Sequence, residues 1–142
     1  MKHKIYTTKE MEELKNSPFV LFVRKRRFIE YDPYFKLWAV YQRYNHPEKT
    51  ASEIFKDAGF PIKLMSNKLP QARIRSWELL YLRYGVEYFI TQSNYIVLDE
   101  EYYLWNKNKN KTSDIIGLQQ RIYNEVKENV KNEKRSPLEI IG

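Results

Sequence analysis

Signals that start helices recur along the first half of this chain and restrict how it can fold. Thr7 and Thr50 each stand three residues before a glutamate, the capping-box pattern that satisfies free amides at a helix start. Asp32 followed by Pro33 is a third start, because aspartate caps a helix and proline suits its first position. Pro70 opens a fourth segment in the same way. These signals predict a mainly α-helical fold.

Helix ends and apolar spacing agree with those starts. Gly59 and Gly85 suit the left-handed position that follows a helix. Between the signals, apolar residues recur at helical spacing, which predicts a three-helix core. The residues predicted to face inward are Tyr34, Leu37, Trp38, Tyr41 and Tyr44, then Ala51, Ile54, Phe55 and Ala58, then Ile74, Trp77, Tyr81 and Tyr84.

Two short apolar runs near the N-terminus favour strands rather than a helix. Residues 19–23 and 28–31 are rich in aromatic and β-branched side chains and flank the basic residues 24–27. We therefore expect an N-terminal β-hairpin with a charged tip, although no Gly or Asn identifies its turn. Residues 87–98 hold two further apolar runs, for which we predict a second hairpin, with helix as the alternative for the second part.

The chain divides into three predicted regions. Residues 1–90 form the main domain, residues 91–111 are a packing segment followed by a polar linker, and residues 112–142 are a C-terminal amphipathic helical tail. The apolar stripe of this last helix permits either a homodimer or docking on its own domain. The stripe consists of Ile115, Leu118, Ile122, Val126 and Val130.

The positive charge is confined to the first region. Residues 1–90 hold 17 Lys and Arg against 10 Asp and Glu, whereas residues 91–142 hold 8 of each. The whole net charge of +7 therefore belongs to the predicted main domain. Such a distribution favours a polyanionic partner, with an ordinary solvated basic surface as the alternative.

Several function classes find little support in the sequence. The chain has no cysteine and only two histidines, His3 and His46, so we expect no metal site and no cofactor. The acidic residues 99–101 are better explained as a helix start than as a cation site. No residue pattern predicts an enzyme. Because no apolar run is long enough to span a membrane and no signal peptide is evident, we expect a cytoplasmic protein without a membrane partner.

The segment from residue 32 to residue 85 has the order of a helix-turn-helix unit. Its helices end in an arginine-bearing helix of the kind that enters the major groove. We predict that the hairpin tip binds phosphate or a minor groove, and that Gln71, Arg73 and Arg75 read bases. Solvated surface charge is the alternative. The predicted DNA-binding residues are Arg24, Lys25, Arg26, Arg27, Gln71, Arg73, Arg75, Ser76 and Arg83.

Residues 6–88 also resemble a bacterial family. The motifs are Ser-Pro-Phe-Val at 17–20, Tyr-Asp-Pro-Tyr-Phe-Lys at 31–36, Glu-Ile-Phe at 53–55 and Gly-Phe at 59–60. They are similar to those of helix-turn-helix proteins associated with two-frame insertion-sequence transposases. The resemblance implies sequence-specific binding of duplex DNA, in transposition or transcription control, with catalysis supplied by a separate transposase subunit.

Two other functions remain open at this point. The first is a protein-interaction adaptor of a phage or mobile element, whose affinity would change little with salt. The second is single-stranded nucleic-acid binding by stacking, which exposure of Trp38 or Tyr41 beside residues 24–27 would favour. We expect instead that Trp38 and Trp77 are buried core residues.

Overall fold

The chain forms six α-helices and one antiparallel hairpin within residues 4–92 and 112–133, which the computed structural model describes. The prediction of a mainly helical fold with an N-terminal hairpin is therefore confirmed. No helix in these two ranges is long and apolar enough to cross a membrane. The elements are α1 (Thr8–Lys15), β1 (Val20–Arg24), β2 (Phe28–Tyr31), α2 (Pro33–Asn45), α3 (Ala51–Asp57), α4 (Leu69–Tyr84), α5 (Val86–Gln92) and α6 (Ser113–Asn132).

Three of the four predicted helix starts form as hydrogen-bonded caps, while α4 begins at Leu69, one residue before Pro70, without a side-chain cap. The Thr7 hydroxyl accepts from the Glu10 amide and the Thr50 hydroxyl accepts from the Glu53 amide, and both glutamates bond back to complete their capping boxes. The Asp32 carboxylate accepts from the first two free amides of α2. Local hydrogen bonding thus fixes where α1, α2 and α3 begin.

Gly59 is required by both its backbone and its neighbours. Its φ of +84° lies in the left-handed region that favours glycine. A side chain here would also place its Cβ 3.0 Å from Pro18 Cδ and 3.3 Å from Leu118 Cδ2. Any larger residue would therefore push α3 away from both the segment before β1 and the C-terminal helix α6.

Helix α2 lies at the centre of the molecule and packs against α3, α4, α5 and α6. Phe35, which is fully buried, is the middle of an aromatic cluster. Its ring centroid lies 5.1 Å from that of Phe55, 4.6 Å from that of Phe60 and 5.6 Å from that of Trp77. Such edge-to-face and tilted contacts hold α2, α3 and α4 in one fixed arrangement.

The predicted inward stripes are wrong at the ends of two helices. Tyr44 and Tyr84 are 51% and 54% exposed, although both fall at helical spacing from buried residues. Phe35 is buried instead, although the predicted stripe of α2 left it out. Both tyrosines belong to the last turns of their helices, which extend past the core, so spacing alone did not reveal their exposure.

The predicted second hairpin is wrong in its first half, because residues 86–92 form α5. Gly85, with a φ of +78°, ends α4, and a new helix starts at the next residue. Val86, Phe89 and Ile90 have helical spacing, and Phe89 is almost fully buried. The second half of that predicted hairpin, the linker and the residues after Glu133 lie outside the described residues.

Helix α6 docks on its own domain along α2. Ile122 and Val126 from the predicted stripe are 0% and 1% exposed, so this face is already covered within one chain. Polar side chains reinforce the contact, which we call the α2–α6 seam. Its hydrogen bonds join Trp38 Nε1 to Glu125 Oε2 (2.5 Å), Tyr41 Oη to Glu133 Oε2 (2.6 Å) and Tyr123 Oη to Asp32 Oδ2 (3.0 Å).

Candidate anion-binding cleft

A cleft with a cavity of about 290 Å³ opens between the N-terminal segment, the hairpin, α2 and α4. Four separate stretches of sequence contribute cations to it, and one carboxylate lies among them. We call it the basic cleft. Its charged lining residues are Lys4, Arg24, Arg27, Lys36, Arg73 and Glu30.

The basic cleft brings together only part of the predicted DNA-binding set. Arg24 and Arg27 from the hairpin meet Arg73 from α4. Sequence reasoning missed Lys4 and Lys36, which lie in the N-terminal segment and in α2. No local pattern distinguishes these two lysines from other surface lysines, because only the packing of four elements makes them neighbours.

Arg24 is held in place by two contacts on the hairpin. Its Nε and Nη2 atoms both donate to Glu30 Oε1 at 3.3 Å. The guanidinium carbon also lies 5.0 Å from the centre of the Phe28 ring, at cation–π distance. Glu30, the only carboxylate among the described residues that line the cleft, is thus already partnered by Arg24.

Lys4 fastens the N-terminal segment beside the cleft. Its ammonium group donates to Glu10 Oε2 at 2.6 Å and to the Leu64 carbonyl oxygen at 2.8 Å. The hydrogen bond from Lys4 is the largest of the interactions that lower the pKa of Glu10. Lys4 therefore contributes mainly to the wall of the cleft rather than to its unbalanced charge.

Three cations of the cleft lack an ionic partner within the described part of the chain. Arg27, Lys36 and Arg73 form no salt bridge with any residue that the structure describes. Burial lowers the pKa of Lys36, and Arg73 lowers it further, while Glu30 and Asp32 act in the opposite direction. The protonated ammonium group is thus partly desolvated and stands near another cation, a situation that a bound anion would relieve.

Tyr31 adds an unused donor to the cleft. Its side chain is 6% exposed, and its buried hydroxyl has no hydrogen-bond partner among the described residues. Burial raises the pKa of Tyr31, so the phenol keeps its proton. The Trp77 ring, 5.1 Å away between centroids, helps fix its position. A buried hydroxyl without a partner is unusual in folded proteins, and it is often explained by a function.

The hairpin turn has an unusual backbone for its residues. Lys25 and Arg26 have φ angles of +54° and +57°, and the Arg27 amide donates to the Arg24 carbonyl at 3.1 Å. This is a two-residue turn with both central residues left-handed, where Asn and Gly are usual. Lysine and arginine cost conformational energy in this region, which favours a functional reason for the charged tip.

Arg26 has a structural role that the sequence did not indicate. Its side chain donates to the Tyr6 carbonyl at 3.2 Å and to the Thr8 hydroxyl at 2.6 Å. Its own carbonyl accepts from the Tyr6 amide at 2.8 Å. Arg26 therefore joins the hairpin to the N-terminal segment, and its contact with DNA stays a prediction.

The predicted residues of α4 do not share one surface. Because successive residues of a helix are about 100° apart, Arg73 lies on the opposite flank from Gln71 and Arg75. Gln71 and Arg75 are exposed, whereas Arg73 is half-buried in the cleft. Ser76 and Arg83 lie away from the cleft, along a shallow depression. The prediction that all three base readers face one groove is therefore not supported by their positions.

Metal binding finds no candidate in the described part of the chain, which holds no group of three or more potential metal ligands. His46 is exposed and lies 3.4 Å from Glu48. His3 and the acidic residues 99–101 lie outside the described residues.

The basic cleft is suited to binding an anion, since three of its cations form no salt bridge with a described residue. Comparisons with protein-family models, curated proteins and solved structures found no match for this chain.

Proposed function

We propose that this chain binds duplex DNA and that the basic cleft holds backbone phosphates. The observation that carries the proposal is the convergence of Arg27, Lys36 and Arg73, three cations without salt-bridge partners among the described residues. Contacts between cations and phosphates dominate the affinity of proteins for DNA. The confinement of the net charge of +7 to residues 1–90 agrees with this interpretation.

In this proposal α2, α3 and α4 act as a helix-turn-helix unit with an elongated connection. Their shared aromatic core supplies the rigidity that base readout requires. Residues 58–68, between α3 and α4, are longer than the three or four residues of a compact helix-turn-helix turn. Gln71 and Arg75, exposed near the start of α4, would read bases, while Arg73 would bind phosphate from the cleft.

The biological setting follows from the resemblance of residues 6–88 to transposase-associated proteins. It supports a role in a mobile element or in transcription control, in the bacterial cytoplasm, with a separate catalytic transposase subunit as partner. A homodimer through α6 would have to use the exposed face of that helix, because Ile122 and Val126 are buried against the rest of their own chain.

The proposal is tested by comparing an arginine of the cleft with an arginine of α6. Arg73→Gln removes a cation from the cleft, and Arg121→Gln removes an equal charge from an exposed site outside the predicted binding set. Fluorescence anisotropy should show that Arg73→Gln weakens duplex binding about tenfold and lowers the salt slope by about one. Arg121→Gln should change affinity by about twofold at most. Equal losses in both variants would reduce the interaction to unspecific surface charge.

A protein-interaction adaptor is the second candidate, and exposed apolar side chains on α4 favour it. Leu79 is 60% exposed and Tyr84 is 54% exposed. A contact through these residues would be largely independent of salt, in contrast to duplex binding. Single-stranded binding by stacking gains no support, since Trp38 and Tyr41 are 3% and 7% exposed.

A further inference from the structure

We infer that the basic cleft is a pocket for one terminal phosphate, a phosphomonoester dianion such as the 5′-phosphate that ends a DNA strand. The inference rests on the proposed function, since it assigns a particular group of DNA to the same cleft. The same chemistry is present in free nucleoside monophosphates and in inorganic phosphate. The experiments below distinguish these sources.

The charge balance of the cleft favours a dianion. Five cations line it, and Glu30, the only carboxylate among its described lining residues, is already bonded to Arg24. A phosphate within a DNA strand carries a single negative charge, whereas a phosphomonoester carries between about 1.5 and 2 near neutral pH. The terminal group therefore offsets more of the charge on Arg27, Lys36 and Arg73.

The arrangement of the donors favours a phosphate that is attached to only one carbon chain. The cations come from the N-terminal segment, the hairpin, α2 and α4, so they surround the cavity on several sides. A phosphomonoester presents three non-bridging oxygens, while a phosphodiester presents only two and continues as a chain in both directions. The volume of about 290 Å³ lies near the lower limit of small-molecule pockets and is ample for one phosphate group.

A bound phosphate would stabilise two groups of the cleft in particular, the hydroxyl of Tyr31 and the ammonium group of Lys36. Tyr31 would donate its unpartnered hydroxyl proton to a phosphate oxygen. Lys36, half-buried on α2, would gain a direct ionic contact, since it forms no salt bridge with a described residue and feels Glu30 and Asp32 only at longer range. Arg24, already fixed by Glu30 and Phe28, would contribute a preorganised guanidinium at the mouth.

The test compares two duplexes of the same sequence that carry either 5′-phosphate or 5′-hydroxyl ends. The full chain should bind the phosphorylated duplex about tenfold more tightly. Lys36→Met keeps the apolar stem but removes the charge, so it should abolish this preference, and Arg121→Gln, at an exposed position of α6 outside the predicted binding set, should leave it intact. Tyr31→Phe, which removes only an unpaired hydroxyl, should reduce the preference without affecting folding. Equal affinity for the two duplexes would overturn the inference while leaving duplex binding in place.

A second experiment tests the phosphate pocket without requiring the chain to bind DNA. Inorganic phosphate and a nucleoside 5′-monophosphate are titrated by calorimetry, with the corresponding nucleoside as a blank. Binding of the monophosphate that is lost in Lys36→Met, without any binding of duplexes, would support the phosphate pocket. The same result would overturn the proposed DNA function. If no phosphorylated duplex and no free phosphate compound binds, the inference is overturned as well.

Discussion

The basic cleft and the α2–α6 seam both join residues distant in sequence, but they differ in whether their polar side chains have hydrogen-bond or ionic partners. In the seam, Trp38, Tyr41 and Tyr123 each donate to a carboxylate of the facing element. In the cleft, Lys36 has no salt bridge and Tyr31 no hydrogen bond to any described residue. Satisfied polar groups are typical of a contact that stabilises a fold, and unsatisfied ones of a site that awaits a ligand.

One tyrosine near the seam does not follow this division. The Tyr81 hydroxyl is buried beside Tyr41 and Glu133 but forms no hydrogen bond of good geometry with a described residue. Burial raises the pKa of Tyr81, and the neighbouring carboxylate of Glu133 raises it further. The tyrosine is thus close to a polar pair already formed by Tyr41 and Glu133, whereas Tyr31 faces a cavity lined with cations. Both hydroxyls are closed to solvent, and they differ in the charge of their surroundings.

The largest effect is expected from the apolar part of the seam. Ile122→Ala removes a fully buried side chain of α6 and should lower the free energy of unfolding by about 2–4 kcal/mol. Ile116→Ala, on the same helix but 52% exposed, should change it by less than about 0.5 kcal/mol. Urea denaturation followed by circular dichroism gives both values. Similar small losses in the two variants would show that α6 is not part of the folded core.

The next largest effect on stability is expected to distinguish a tyrosine with a hydrogen-bond partner, Tyr41, from one without a described partner, Tyr31. Tyr41→Phe removes the donor to Glu133 and leaves a carboxylate with one partner fewer, so it should cost about 1–2 kcal/mol of unfolding free energy. Tyr31→Phe removes a hydroxyl that has no partner and should be neutral or slightly stabilising. Thermal denaturation of both variants checks this order. A larger loss of stability in Tyr31→Phe than in Tyr41→Phe would contradict the difference proposed between the seam and the cleft.

A smaller effect is expected at the hairpin turn. Lys25→Asn places a residue that tolerates the left-handed region at a φ of +54°, which should stabilise the fold by about 0.5 kcal/mol. The lost charge should at the same time weaken duplex binding. Arg27→Asn, at a position without a positive φ, should weaken binding with no gain in stability. If Lys25→Asn destabilises the protein, the turn is not strained and its charge needs no functional reason.

The smallest effect concerns pH and stability. Because burial lowers the pKa of Lys36 from its ordinary value of 10.5, the unfolded chain binds more protons than the folded one between the two pKa values. Wild-type stability should therefore rise with pH towards 10.5, relative to Lys36→Met, and the advantage of the variant should shrink. Glu30 and Asp32 oppose this shift, and Arg73 reinforces it.

Urea midpoints of wild type and Lys36→Met, measured from pH 7 to pH 10, check that trend. Saturating inorganic phosphate should reduce it, since a bound anion favours the charged ammonium group. Parallel midpoints over the whole range would show that Lys36 is not desolvated in the folded chain.

The sequence predicted the local features of this molecule well. The caps at Thr7, Asp32 and Thr50 and the positive φ of Gly59 depend on residues only a few positions away. Such hydrogen bonds and steric limits are properties of the nearby chain, so their patterns can be read directly. The hairpin strands were also predicted, but the turn at Lys25 was not, because its residues contradict the usual preference.

Features that depend on distant contacts were predicted poorly. Periodicity placed Tyr84 on the inner face of α4, but it does not indicate where the core ends along a helix axis. Lys36 lacked any signal, since its importance arises from Arg73 and the hairpin, which only the tertiary fold brings close. Arg26 was predicted to contact DNA, while its bonds to the N-terminal segment depend on how that segment packs.

The most direct test of this account measures stability and duplex affinity on the same two variants, Arg73→Gln and Glu133→Gln. Arg73→Gln should weaken duplex binding about tenfold and change the unfolding free energy by less than about 0.5 kcal/mol. Glu133→Gln, which weakens the bond to Tyr41, should lower the unfolding free energy by about 1 kcal/mol and leave affinity within about twofold. If Arg73→Gln destabilises the fold without weakening DNA binding, the cleft is a structural contact and the central claim is contradicted.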